Sequence, residues 1–130
     1  MGSDSHTELI SMAKALVKPM QLSRDDLDAC TVGCAIKSVS GRIYTGICIH
    51  LSCGIGFCAE HAAMAEMIKC GETEIDTIVA ANKSEVLSPC GRCREMMVQI
   101  NNANFNANVV LKHDRVVKLR DLLPEHWMGS

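Results

Sequence analysis

Three cysteines constrain this chain more than any other feature. Cys58 opens the run "CAEHAAMAEMIKCG", and Cys90 and Cys93 open "CGRCREMMVQI". Both runs read as helices, and in the first Ala62, Ala65 and Met67 are good helix formers, with Gly71 placed to end it. Each run follows a strand pattern and a loop, "CGIGFC" before Cys58 and "IDTIVAA" with its loop before Cys90. If the strands leading into these loops are neighbours, both helix N-termini point to the same edge of one sheet. Three thiols then converge there.

The remaining patterns fit such a sheet. Residues 5–17 carry an apolar stripe at helical spacing (Leu9, Ile10, Met12, Ala13, Leu16, Val17), which Pro19 stops. "TVGCAIKSVSGRIYTGICIH" reads as a hairpin turning at Ser40-Gly41, and residues 75–81 as a buried strand. The helix from Cys90 is expected to turn Met96, Met97, Val98 and Ile100 inward. "NANVVLK" and "RVVKLR" are separated by a few residues around His113-Asp114, a link too short for a parallel crossover, so they form a second hairpin. "RDLLPEHW" closes as a short helix or turn. The order predicts a three-layer α-β-α sandwich with a five-stranded mixed sheet, and one domain over residues 1–130.

At 130 residues the chain can bury a real core, and 48% apolar residues with a formal charge of −2 argue against disorder. The absent basic excess and the scarcity of aromatics (Tyr44, Phe57, Phe105, Trp127) argue against stable nucleic-acid binding. The first residues lack a basic flank followed by an apolar run, and no apolar run approaches the roughly 20 residues that cross a bilayer, so a cytoplasmic, membrane-free protein is expected. Thiols stay reduced in that compartment. Eight cysteines there point to metal binding or thiol chemistry before a disulfide framework.

A Cys-x-x-Cys pair plus a third soft ligand suits zinc with an open fourth position, where water is acidified. Three thiolates leave such a site at a net charge of −1, which opposes that acidification. Two helix N-termini offset part of this, as would Arg92, Arg94 and His61 as neighbouring cations. Glu60 lies too close in sequence to Cys58 to bind the same ion easily. It is placed instead to move protons as general base and acid. Two alternatives compete. Cys90-Gly-Arg-Cys93 by itself suits a thiol redox pair, and a fourth ligand from His61 or Cys53 would make the site structural.

"CAE" followed by "PCGRC" resembles the zinc-dependent cytidine deaminase family. The likeness extends through "VGCAI", "GRIYTG", "LSPCGRCRE" and "RDLLP" to the small homotetrameric members, and "LSPCGRCR" with "LLP" is similar to blasticidin S deaminase. The resemblance implies that Cys58, Cys90 and Cys93 hold one Zn²⁺ and that Glu60 carries protons while ammonia leaves a nucleoside or base. It implies that the Ala59 backbone meets the ring's O2 edge and that the Ser88 carbonyl faces the amino group. Homotetramers are the implied assembly, with the C-terminal region near a neighbouring site. Four positions depart from the family. Cys48 and His50 stand in its sugar-holding Asn-x-Glu stretch, Cys30 replaces a Phe, and His61 an Arg. Cys48 and His50 are therefore candidate substrate contacts, and cytidine itself is expected to be a poor substrate.

The other features have plainer readings. Cys30, Cys34, Cys48, Cys53 and Cys70 are expected as buried small hydrophobes, with a reactive role open to Cys48 and Cys53. Met64, Met67, Met96 and Met97 are read as core or interface. Glu66, Glu72 and Glu74 are expected on a solvated face, and Trp127 as a cover over the core.

Overall fold

The computed structural model describes residues 2–128. In chain order it contains α1 (Gly2–Ala15), β1 (Met20–Gln21), β2 (Asp28–Ser38), β3 (Ile43–His50), α2 (Ala59–Lys69), β4 (Ile75–Ala81), β5 (Val86–Leu87), α3 (Gly91–Ile100), β6 (Asn108–Val110) and β7 (Val116–Lys118). Short 3-10 helices occupy Asn102–Asn106, Lys112–Asp114 and Leu119–Leu122.

The sheet has seven strands, not the five expected. Five form its body in the order β3-β2-β4-β6-β7, with β4 and β6 parallel and the other pairs antiparallel. The two additions, β1 on β2 and β5 on β4, are each two residues long. A pattern of period two cannot register in two residues, so sequence alternation had nothing to show.

Alternation along the strands explains the layers. Cys34, Ile36, Ile78 and Ala80 point to one face, where they pack with Ala63, Met64 and Met67 of α2 and Met97 and Val98 of α3. Ala35, Val79 and Ala81 point to the other, under Leu9 and Ala13 of α1. β4 sits between both helical layers, and all its residues except Asp76 are buried. Met97 and Val98 turn inward as expected, whereas Met96 and Ile100 are only half-buried.

α2 lies on β3 because Gly46 has no side chain. A Cβ there would sit 2.4 Å from the Ala63 nitrogen and 2.6 Å from the Ala59 oxygen, both backbone atoms that cannot move aside. At its far end α2 closes on Gly71, at φ 85°, with Gly71 N–H bonded to the Ile68 carbonyl at 2.9 Å and Glu72 N–H to the Met67 carbonyl at 3.1 Å. α3 is tied down by Asn104, which is fully buried. Its amide accepts from Ile75 N–H at 2.8 Å and donates to the carbonyls of Met97 at 2.8 Å and Thr73 at 3.0 Å.

Several surface expectations are corrected. Trp127 is 77% exposed and covers no core, while its backbone N–H donates to Glu95 at 2.8 Å. Glu72 accepts from the Tyr44 hydroxyl and Glu66 from the Thr45 N–H at 3.3 Å, so both carboxylates tie α2 and its exit to β3 and are not merely solvated. Of the five other cysteines only Cys34 and Cys48 are buried. Cys30 is half-buried, and Cys53 and Cys70 are exposed.

Candidate metal centre and active site

Cys58 and Cys90 are the N-cap residues of α2 and α3, with extended backbones at ψ 156° and 172°. An N-cap side chain ordinarily turns back to accept a helix N–H. Neither sulfur makes such a bond. They turn toward each other instead, at 3.5 Å, and Cys93 from the first turn of α3 lies 3.3 Å from Cys90. The three Sγ atoms all lie within 4.8 Å of one another, and no other His, Cys, Asp or Glu among the described residues joins the cluster.

This donor set fits zinc. A tetrahedral ion with bonds of about 2.3 Å separates its sulfurs by about 3.8 Å, a few tenths from the spacings here. Burial, reinforced by Glu60, pushes the Cys93 thiol far above its ordinary range, so its thiolate needs a cation close by. Burial also raises Cys58. Cys90 is the exception: burial pushes it up, but the first-turn N–H groups of α3 that face the sulfur without forming a cap bond, together with the neighbouring thiols, outweigh that and lower it. Neither His61 nor Cys53 supplies a fourth ligand, so one coordination position is left for a small molecule.

Local structure holds the centre in place. The loop 51–56 is closed by a two-way bridge between Ile49 and Phe57, at 3.0 and 2.9 Å, which sets the start of α2. Gly56 makes the bridge possible, since a Cβ there would meet the Ile49 oxygen at 2.2 Å. On the other side Arg94 donates to the carbonyls of Pro89 at 2.8 Å and Leu122 at 3.0 Å and to the Ser88 hydroxyl at 3.1 Å. Arg94 therefore braces the turn that delivers Cys90, a role the sequence reading missed when it treated this residue as a free cation. Arg92 and His61 line a different surface, the groove between α2 and α3.

Glu60 is 5% exposed and faces a cavity of about 160 Å³ that Cys58, Cys90, Ala59, Ser88, Cys48 and His50 also line. The residues read from the sequence as metal ligands, proton carrier or substrate contacts thus all border this one space except Cys93, which is fully buried. Burial raises the Glu60 carboxyl, partly opposed by its own N–H and the Cys93 thiol. Under it, burial and the Glu60 charge drive the Cys34 thiol well up.

The far wall was not legible in the sequence. Between Ala29 and Gly33, β2 has three residues against the single Cys48 of β3, a bulge with Cys30 at φ 65°. The bulge sets the Thr31 hydroxyl 3.2 Å from the Cys48 Sγ and brings Val32 into the cavity wall. His50 and Asp28, directly opposed across the two strands, pair through Nδ1 and Oδ1 at 2.9 Å.

Residues 4–109 match the family described as the cytidine and deoxycytidylate deaminase zinc-binding region. Over 97 residues, 72% of this chain and 70% of its counterpart, the sequence is 30% identical to a cytidine deaminase of Mycobacterium tuberculosis. Over 76 residues it is 34% identical to blasticidin-S deaminase of Bacillus cereus, a match covering 51% of this chain and 54% of that protein. The crystal structure of cytidine deaminase from Mycobacterium tuberculosis superimposes with a TM-score of 0.79 at 25% identity, over 95% of this chain and 98% of that one.

Proposed function

The chain belongs to the cytidine and deoxycytidylate deaminase family, and from that premise we propose that it is a zinc-dependent hydrolytic deaminase of a cytidine-like nucleoside or related amino-heterocycle. The observation that carries this is the buried Glu60 carboxylate beside three sulfurs that meet at two helix N-termini and share a small cavity with it.

Cys58, Cys90 and Cys93 would hold the ion, which when bound supplies the Lewis acidity that readies water for attack near neutral pH. Glu60 accepts a proton from that water as its oxygen bonds to the amino-bearing ring carbon. Glu60 gives that proton to the adjacent ring nitrogen, then takes the second from the hydroxyl now on the carbon and gives it to the departing amine. The C–N bond breaks, ammonia leaves, and the carbon retains the oxygen as a carbonyl. Burial suits Glu60 to the task, since a raised carboxyl exchanges protons more readily near neutrality. The Ala59 backbone and the Ser88 carbonyl, both in the cavity wall, orient the ring by its O2 edge and its amino group.

With Cys48 and His50 in place of a sugar-holding pair, cytidine is a poor substrate and another amino-heterocycle is preferred. A cytidine kcat/KM of about 10⁴ M⁻¹s⁻¹ or more, ordinary for a good enzyme, would refute that preference. The assembly is a homotetramer in the cytoplasm. Supporting this are the open groove of about 850 Å³ between α2 and α3, exposed Phe57 in its wall, and eight unpaired cysteines. The deciding experiment incubates zinc-loaded protein with cytosine, adenine, guanine and pterin-like amino compounds, free and as nucleosides, and records ammonia. Release from at least one compound, lost in Glu60→Gln with zinc retained, is expected. No release from any, or full turnover by Glu60→Gln, sinks the reading.

A further inference from the structure

Each nitrogen of the Arg94 guanidinium donates to a different oxygen: Nε to the Pro89 carbonyl at 2.8 Å, Nη1 to the Leu122 carbonyl at 3.0 Å and Nη2 to the Ser88 hydroxyl at 3.1 Å. Two of these acceptors stand immediately before Cys90, on the turn between β5 and α3. Pro89 has no N–H, so the turn itself is poor in backbone donors. The third acceptor lies 28 residues from Arg94, in the last 3-10 helix. That helix is fixed to the core: Leu119 is fully buried, and its N–H donates to the Ala107 carbonyl at 2.9 Å. The guanidinium therefore bridges a core anchor and the turn. Planar and always charged, it sets the directions of all three bonds at once, which a lysine ammonium on a flexible stem cannot do. Arg94 lines no part of the cavity beside Glu60.

We propose that Arg94 is a positioning residue for the departing amine, acting through the Ser88 carbonyl. This rests on the deaminase reading of the cavity, in which that carbonyl faces the amino group. Arg94 grips the residues on both sides of the Ser88-Pro89 peptide, the unit whose oxygen meets the amine. On the ring the amino group is a neutral donor. Once Glu60 has handed it a proton it is a cationic one, and a hydrogen bond to a charged group is roughly twice as strong. A carbonyl held in place gains that difference without moving, whereas one that swings loses part of it. The contact is thus stronger in the transition state than in the ground state, and it enters kcat more than KM.

Ser88-Pro89 is the only Ser-Pro pair in the chain. Protein made with carbonyl-¹³C serine and ¹⁵N proline therefore shows this one peptide as a single NMR signal. In zinc-loaded Arg94→Lys and Arg94→Gln that signal should shift or broaden, with zinc retained and circular dichroism unchanged. If Arg94→Gln loses its fold, Arg94→Lys, which keeps charge and stem, carries the test. Ammonia release is followed with cytidine and with the fastest compound of the amino-heterocycle panel. Both variants should lose about ten-fold or more in kcat, while KM rises by no more than about five-fold, the range of one neutral hydrogen bond. Full turnover by Arg94→Lys would make Arg94 a mere charge beside the sulfurs and overturns the proposal. So does an unmoved Ser88 signal, or a loss confined to KM. Ammonia at an unchanged kcat in both variants removes the proposal and leaves deamination standing, whereas no ammonia from any compound removes both.

Discussion

Cys58 and Cys90 hold N-cap positions yet make no side-chain cap bond, because their sulfurs are turned to the centre. Serine caps well at such a position, typically by about 1 kcal/mol over a residue that cannot. Cys90→Ser should therefore lose stoichiometric zinc, read by elemental analysis, while the metal-free protein keeps or slightly gains stability in urea. A metal-free protein several kcal/mol weaker would show that the Cys90 thiol packs the fold as well as offering a ligand. Glu60→Gln asks a different question of the neighbouring residue. Proton transfer by a placed group is typically worth about 10² to 10⁴ in rate, so single-turnover ammonia release should fall by that much with zinc unchanged.

Elements meet this centre through backbone more than side chains. Gly46 is where α2 touches β3, and Gly46→Ala forces a methyl into backbone atoms 2.4 and 2.6 Å away. Overpacking of this kind typically costs about 1–3 kcal/mol. Here it should also weaken zinc retention, because α2 carries the Cys58 end of the cluster; chelator competition reads that second effect. Where α2 leaves for β4, the Tyr44 hydroxyl, then Ser40, hold the Glu72 carboxyl below its usual range. A carboxyl lowered in the folded state contributes stability above its unfolded pKa and loses it as pH falls through the folded one. Tyr44 is raised by the same bond, so its share is present below its unfolded pKa and is lost on strong alkalinisation. Thermal midpoints across pH should drop at both ends, and Glu72→Gln should flatten the acid side. An identical acid limb in that variant would remove Glu72 from the account.

Over the whole molecule, one face remains unfinished. α1 covers one side of the sheet, and α2 and α3 cover the other but leave a groove with Met96, Ala65, Phe57 and Ile100 in its walls. Burying that surface between copies is the reason to expect assembly, and Met96→Glu places a charge in the middle of it. Sedimentation of the unaltered protein should give a tetramer, and Met96→Glu a smaller species. A monomer for both would leave the groove without the partner proposed for it.

Local signals were legible because they need only nearby residues. Cys58-Ala-Glu60 and Cys90-x-x-Cys93 fall at helix starts whatever the rest of the chain does, and β4 is marked by a short, mainly apolar and β-branched segment. The two-residue strands, the bulge opposite Cys48, the bracing by Arg94 and the exposure of Trp127 all depend on partners far along the chain, so no window of sequence contains them. The same holds for His50, whose meaning changes once Asp28 stands across from it. The sequence by itself determined the kind of centre, three sulfurs and a carboxylate, because residue type and helical spacing decide that chemistry. Only the tertiary structure decided what surrounds it, because strand register and close backbone packing arise from contacts between distant segments.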